Sequence, residues 1–126
     1  MSVENDLIRT SVNFSKFHTD TIRGTLLSFT KRVIKETPVD TGRLRGNWQS
    51  SLNVPQNVPI ERVQKTKTSG VAVQESSEKL SKLNIGDIFW FTNNLPYARR
   101  IEEGWSKQAP AGMLRTNFAL LASKLK

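Results

Sequence analysis

The residues of this chain that could do chemistry are few, and their types narrow that chemistry quickly. Asp40, Asp87, Glu102 and Glu103 are the carboxylates for which an acid–base role is worth weighing. Glu102 and Glu103 are adjacent, and adjacent side chains on a helix diverge, so they form no general acid–base pair. There is no cysteine and a single histidine, His18. That removes disulfides, thiolate catalysis and most structural zinc sites, and leaves no partner to complete a nucleophile site. His18 reads as a structural or surface residue, and the chain as one with no catalytic residue, cofactor or metal. The remaining chemistry is that of charge. Nineteen Lys and Arg against eleven Asp and Glu give a net charge of +8, which favours an acidic partner or nucleic acid. Arg43, Arg45, Arg99 and Arg100 could position phosphates, with Trp48 or Trp90 for stacking. No recognition-helix, zinc or RNA-binding signature accompanies them, the aromatic residues fall on apolar faces, and the basic residues are spread along the chain. A non-specific nucleic-acid-binding module is therefore the alternative reading, with weak, salt-sensitive and sequence-independent DNA binding expected.

Several of these charges sit in the stretch Asn93-Asn94-Leu95-Pro96-Tyr97-Ala98-Arg99-Arg100-Ile101-Glu102-Glu103-Gly104-Trp105, which reads as a short helix. Asn94 is placed to cap its start, Pro96 to occupy its first turn and Gly104 to end it in a left-handed conformation. Tyr97, Ile101 and Trp105 recur every four residues and make an apolar ridge. The charges oppose the helix dipole, with arginines near its positive end and glutamates near its negative end. At least one of Arg99, Arg100, Glu102 and Glu103 is thus expected to pair across a subunit boundary, with Tyr97 and Trp105 divided between core packing and subunit contact.

The elements that must position these residues follow from periodicity. Ile22, Leu26, Phe29 and Val33 lie on one side of a helix running from about residue 14 to residues 35–37, where Pro38 stops it. Leu27 and Ile34 lie on a different face, so burial on more than one side is expected, and Gly24 is read as a possible close approach. Asp40 locks a turn through the backbone N–H of Gly42 or Arg43, and Gly42 gives that turn its freedom. Leu44, Gly46, Trp48, Ser50, Leu52 and Val54 then alternate with polar residues as a half-buried strand. Residues 54–70, with Pro55 and Pro59, read as a long loop or loose hairpin in which residues 60–66 are a candidate edge strand. Residues 71–83 suit an amphipathic helix with Glu75–Lys79 and Glu78–Lys82 pairs. Residues 88–92 form an aromatic strand expected at the centre of a sheet. A polar connector, residues 106–112, leads to a last helix with Leu114, Phe118, Leu121 and Leu125 on one face and Arg115, Asn117 and Lys124 on the other.

The expected fold is α+β, a small, mostly antiparallel sheet packed against a long N-terminal and a C-terminal helix, in one domain over residues 1–126. No apolar run approaches the ~20 residues that span a bilayer, and the N-terminus lacks a signal pattern, so the expectation is a cytosolic product with no membrane partner.

Two motifs then carry a resemblance. Thr37-Pro38-Val39-Asp40-Thr41-Gly42-Arg43-Leu44-Arg45 followed by a Trp is one; Asn93-Asn94-Leu95-Pro96-Tyr97-Ala98 leading to Glu102, Gly104 and Gln108-Ala109-Pro110-Ala111-Gly112-Met113 is the other. In order and spacing, over about two thirds of the chain, this resembles the small neck and tail-completion proteins of tailed bacteriophages. The resemblance implies a virion structural protein, made in the host cytoplasm, that forms a homo-oligomeric ring between head and tail tube. Six subunits are expected and twelve are the larger alternative. Its implied partners are a head-side connector, adaptor or head-closure protein, the tail tube protein, and DNA passing through the lumen without sequence-specific contact. No catalytic residue carries over. Where a glycine-linked aromatic or small residue is common after the family's Glu-x-Gly element, this chain has Trp105.

Overall fold

The computed structural model describes residues 19–39, 41–104 and 112–124. His18, the Asp40 turn lock, the Trp105 contact, the 106–111 connector and Leu125 lie outside these residues.

The long helix forms as its apolar stripe requires. Helix α1 spans Thr19–Glu36, ending where Pro38 forces the preceding residue from helical geometry. Ile22, Leu26, Phe29 and Val33 are buried, and so is Ile34, so the helix is covered on more than one side. Gly24 marks no close approach, because a Cβ there would meet nothing within 4 Å.

After the turn at Gly42, whose φ of +87° uses the freedom that glycine gives it, the chain departs from the strand reading. Residues Arg43–Gly46 form a single helical turn, α2, and only Trp48–Leu52 is strand β1. Leu44 and Trp48 are four apart, a spacing that serves a strand face and a helix face equally well. Moreover, β1 is not half exposed: Trp48, Gln49, Ser50 and Ser51 are all buried. Helix α3, Val71–Ser81, follows the loop and buries Val73 and Leu80. Strand β2, Phe89–Asn93, pairs with β1 antiparallel, Ser50 opposite Phe91 and Ser51 opposite Trp90. Among the described residues the sheet has only these two strands, so β2 is not central. A five-residue helix α4, Ala98–Glu102, and a last helix α5, Leu114–Lys124, complete the order.

The fold is therefore α+β, helices packed on a two-stranded antiparallel sheet. Its centre is aromatic. Trp48 stacks on Phe91 with ring centroids 4.7 Å apart, and Phe29 of α1 meets Phe91 and Phe118 edge-on at 6.1 and 6.3 Å. Such edge and offset contacts add to the gain from burying the rings. The Trp48 indole N–H donates to Thr37 Oγ1 at 2.7 Å, and that hydroxyl donates to the Val33 carbonyl, so the end of α1 is tied to the first residue of β1. Asn117, assigned to the polar face of α5 by its type, is instead buried between Glu36 and the Met113 carbonyl. Among the described residues no helix is long and apolar enough to cross a membrane.

Candidate assembly surface

Two of the charged residues proposed for an interface turn out to be internal braces. Arg45 is 3% exposed. Its Nε donates to the Ile34 carbonyl at 2.9 Å, Nη2 to those of Lys35 and Thr37 at 3.1 and 2.7 Å, and Nη1 to that of Lys65 at 2.7 Å. Three of these acceptors are the carbonyls that a helix C-terminus leaves without intrahelical partners, so the guanidinium acts as a cap with favourable charge for the dipole. Burial lowers its pKa from the ordinary arginine value by desolvation. Arg45 is thereby withdrawn from any phosphate patch or subunit contact. Arg43 stays on the surface, its Nη2 3.7 Å from Glu61.

Glu102 is the second brace, 2% exposed. Its Oε1 accepts from the backbone N–H of Met113 and Leu114 at 2.7 and 2.6 Å, and Oε2 from that of Arg115 at 3.1 Å. The carboxylate thus caps the start of α5 from outside that helix, satisfying its orphan donors and meeting the positive end of its dipole. Gly112 has φ +85°, and a Cβ on it would collide with the Glu102 carbonyl and carboxylate, so the close approach is open to glycine alone. The charge that looked misplaced at the end of α4 is well placed for α5. An intersubunit role for Glu102 is accordingly withdrawn.

The other residues of this stretch divide. Arg99 pairs with Glu103 at 3.1 Å, an i,i+4 contact within the chain, and both remain partly exposed. Arg100 is exposed, and Tyr97 is 38% exposed, while Ile101 packs against the core. Gly104 takes its left-handed conformation, φ +92°. Asn94 does not cap α4: the helix starts four residues later, at Ala98, with no side-chain cap. Pro96 lies in the turn before it. The Asn94 amide instead donates to the Gln56 carbonyl at 2.9 Å, pinning the loop.

That loop has no helix or strand, and residues 60–66 form no edge strand. Side chains do the strand's work. Arg62 Nη2 donates to the Trp48 carbonyl and Nη1 to Glu75 Oε2 at 3.0 Å, while Glu75 Oε1 accepts from Ser50 N–H at 2.8 Å. Glu75 is thus drawn to the sheet and away from its expected partner Lys79; the Glu78–Lys82 pair forms at 3.5 Å. The ion pair occupies the outer edge of β1, where a further strand would otherwise bind. Gly46 permits this, because a Cβ there would collide with the Arg62 carbonyl. Buried amides hold the rest: Asn47 Oδ1 accepts from Ile60 N–H, Gln64 Oε1 from Ala72 N–H, and Asn93 Nδ2 donates to the Leu44 carbonyl. Sequence reading missed these residues, and only their amide-rich type amid apolar neighbours signalled them.

Among the described residues the opposite edge has no such cover. Because Ser50 N–H and the Trp48 carbonyl point away from β2, the alternation of an antiparallel pair turns the backbone groups of Phe89 and Phe91 away from β1. Among the described residues no hydrogen-bond partner meets them. At the same end of the sheet the Asn53 amide joins Asp87 and accepts from Ile88 N–H. Around this junction Val54, Ile85 and Ile88 are 71, 63 and 53% exposed. Trp90 Nε1 and the hydroxyl of Ser51, its cross-strand partner, are buried without a hydrogen-bond partner. An unpaired strand edge beside exposed aliphatic side chains makes this a candidate surface for association.

No protein-family model, no curated protein and no solved structure matches this chain.

Proposed function

We propose that this chain is a virion structural protein that self-assembles into a ring at the head–tail junction of a tailed bacteriophage, as a neck, tail-completion or tail-terminator component. The ring has six subunits, stands between a head-side connector or head-closure protein and the tail tube, and lets DNA through its lumen. The observation that carries the assembly reading is the uncovered end of the sheet, where the open β2 edge adjoins Val54, Ile85 and Ile88. A ring needs a heterologous contact, in which this surface meets a different one on the next copy. Exposed Tyr97, Arg99, Arg100 and Glu103 of the α4 region are the assigned counterpart.

The two resemblance motifs also support the reading by their placement. The first contains Arg45, which braces the end of α1, and the second contains Glu102 and Gly112, which brace the start of α5. Motifs that resemble a family's at both braces are what a shared scaffold would retain.

Native mass measurement tests the proposal. The wild-type protein is expected at six times the 14.3 kDa chain mass. Ile88→Asp places a charge on the exposed apolar end and should yield the single-chain mass, with a melting temperature within roughly 2 °C of wild type, since exposed positions seldom shift stability beyond about 0.5 kcal/mol. A wild-type protein that stays at the single-chain mass at high concentration would sink the ring, and an Ile88→Asp ring would sink this surface as its contact.

A further inference from the structure

The C-terminal end of α1 gathers positive charge that neither the braces nor the assembly surface uses. Lys31 and Lys35 are one turn apart on the same exposed face. Arg45 brings a distant segment beside them, because one guanidinium bonds the carbonyls of both Lys35 and Lys65. Lys65 and Lys67 are exposed there too. Arg32 and Lys124 extend the cluster across a shallow crevice that they line with Asn117, between α1 and α5. Elsewhere on the surface, charges are matched locally, as in Arg23–Asp20 at 3.6 Å, Lys82–Glu78 at 3.5 Å and Arg99–Glu103 at 3.1 Å. Among the described residues none of Lys31, Lys35, Lys65 and Lys67 makes such a pair, and the acid within their helix end, Glu36, is held by Asn117.

Like charges one helical turn apart repel. A solvated face normally intersperses acids, whereas this one collects cations from three separate segments onto one end of the fold.

We propose that this cluster is a contact surface for the phosphate backbone of double-stranded DNA. The partner follows from charge complementarity: a rigid row of phosphates offers closely spaced negative charges to ammonium groups on a fixed helix and a pinned loop. Lysine ammonium groups meet phosphates as point charges, and phosphate contacts carry no sequence information, so the contact is independent of sequence. The proposal deepens the ring reading by naming the surface turned to DNA, and rests on that reading only for why DNA is nearby.

The test is binding of a mixed-sequence duplex, followed by fluorescence anisotropy across a salt series, to the full chain and to a Lys31→Gln, Lys35→Gln, Lys65→Gln, Lys67→Gln variant. Each phosphate contact contributes about 0.9 to the slope of log affinity against log salt. The variant is expected to lose roughly 2 or more from that slope and on the order of a hundredfold in affinity at low salt. Its native mass and melting curve should match wild type. Lys79→Gln with Lys82→Gln, at the C-terminal end of α3, is expected to leave binding unchanged. No wild-type binding at low salt, an unchanged slope in the fourfold variant, or binding of polyglutamate in place of the duplex would each overturn the proposal. Monomeric protein whose DNA binding the fourfold variant abolishes removes the ring and sustains the cluster; a ring indifferent to the four substitutions does the reverse.

Discussion

Replacing Glu102 by alanine is expected to cost about 3–5 kcal/mol, the largest effect of any single surface-type residue in this fold. The carboxylate accepts three backbone N–H groups at the start of α5 while almost wholly buried. Truncation strands those donors away from water, and each buried unpaired donor carries a penalty of about 1–3 kcal/mol, in part relieved by local fraying. In a domain of this size the melting temperature should fall by roughly 10–15 °C. Glu102→Gln keeps one acceptor oxygen but turns an NH2 toward a donor, so an intermediate loss is expected. Thermal melts of the three proteins check the order. An alanine variant within about 2 °C of wild type would show that the brace contributes little and that α5 is held by Leu114, Phe118 and Leu121 alone.

Arg45→Met should cost about 3–4 kcal/mol, because methionine fills the volume of the arginine stem but leaves the carbonyls of Ile34, Lys35, Thr37 and Lys65 without their shared donor. Arg45→Lys tests the geometry separately from the charge. One ammonium cannot reach carbonyls spread around a planar fork, so lysine is expected to recover less than half the loss. Denaturant unfolding of both variants decides this, and full recovery by lysine would mean that charge at the helix end, rather than the fork, is what counts. Both substitutions act within a single chain, so their effects should be independent of protein concentration below any range in which the protein oligomerises.

How far the sequence was readable depends on the reach of each interaction. The α1 stripe, its stop before Pro38, the α3 amphipathic pattern and the antiparallel partners were legible because the signals are local and repeat with one period. The entry to β1 was misread because Leu44 and Trp48 satisfy both periods, and the helical turn was decided by Gly42 and by the guanidinium behind it. Glu102 was misassigned for a related reason. Its charge was weighed against the dipole of the helix it belongs to, whereas it serves a helix that begins twelve residues later. Arg62 and Glu75 lie thirteen apart, outside the window of any periodicity. Of the candidate assembly surface, only the strand itself was visible; that its outer edge meets no partner among the described residues followed from knowing which groups occupied the other one.

That asymmetry between the edges limits the valency of the chain. Strand pairing on the β1 side is obstructed where the Trp48 carbonyl and Ser50 N–H already answer to Arg62 and Glu75, which leaves the β2 side as the freer edge. A subunit with one obstructed edge terminates a sheet more readily than it passes one through itself. Copies joined this way are impeded from polymerising into a continuous cross-chain sheet, and the ion pair of Arg62 and Glu75 stands against the fibrillar route.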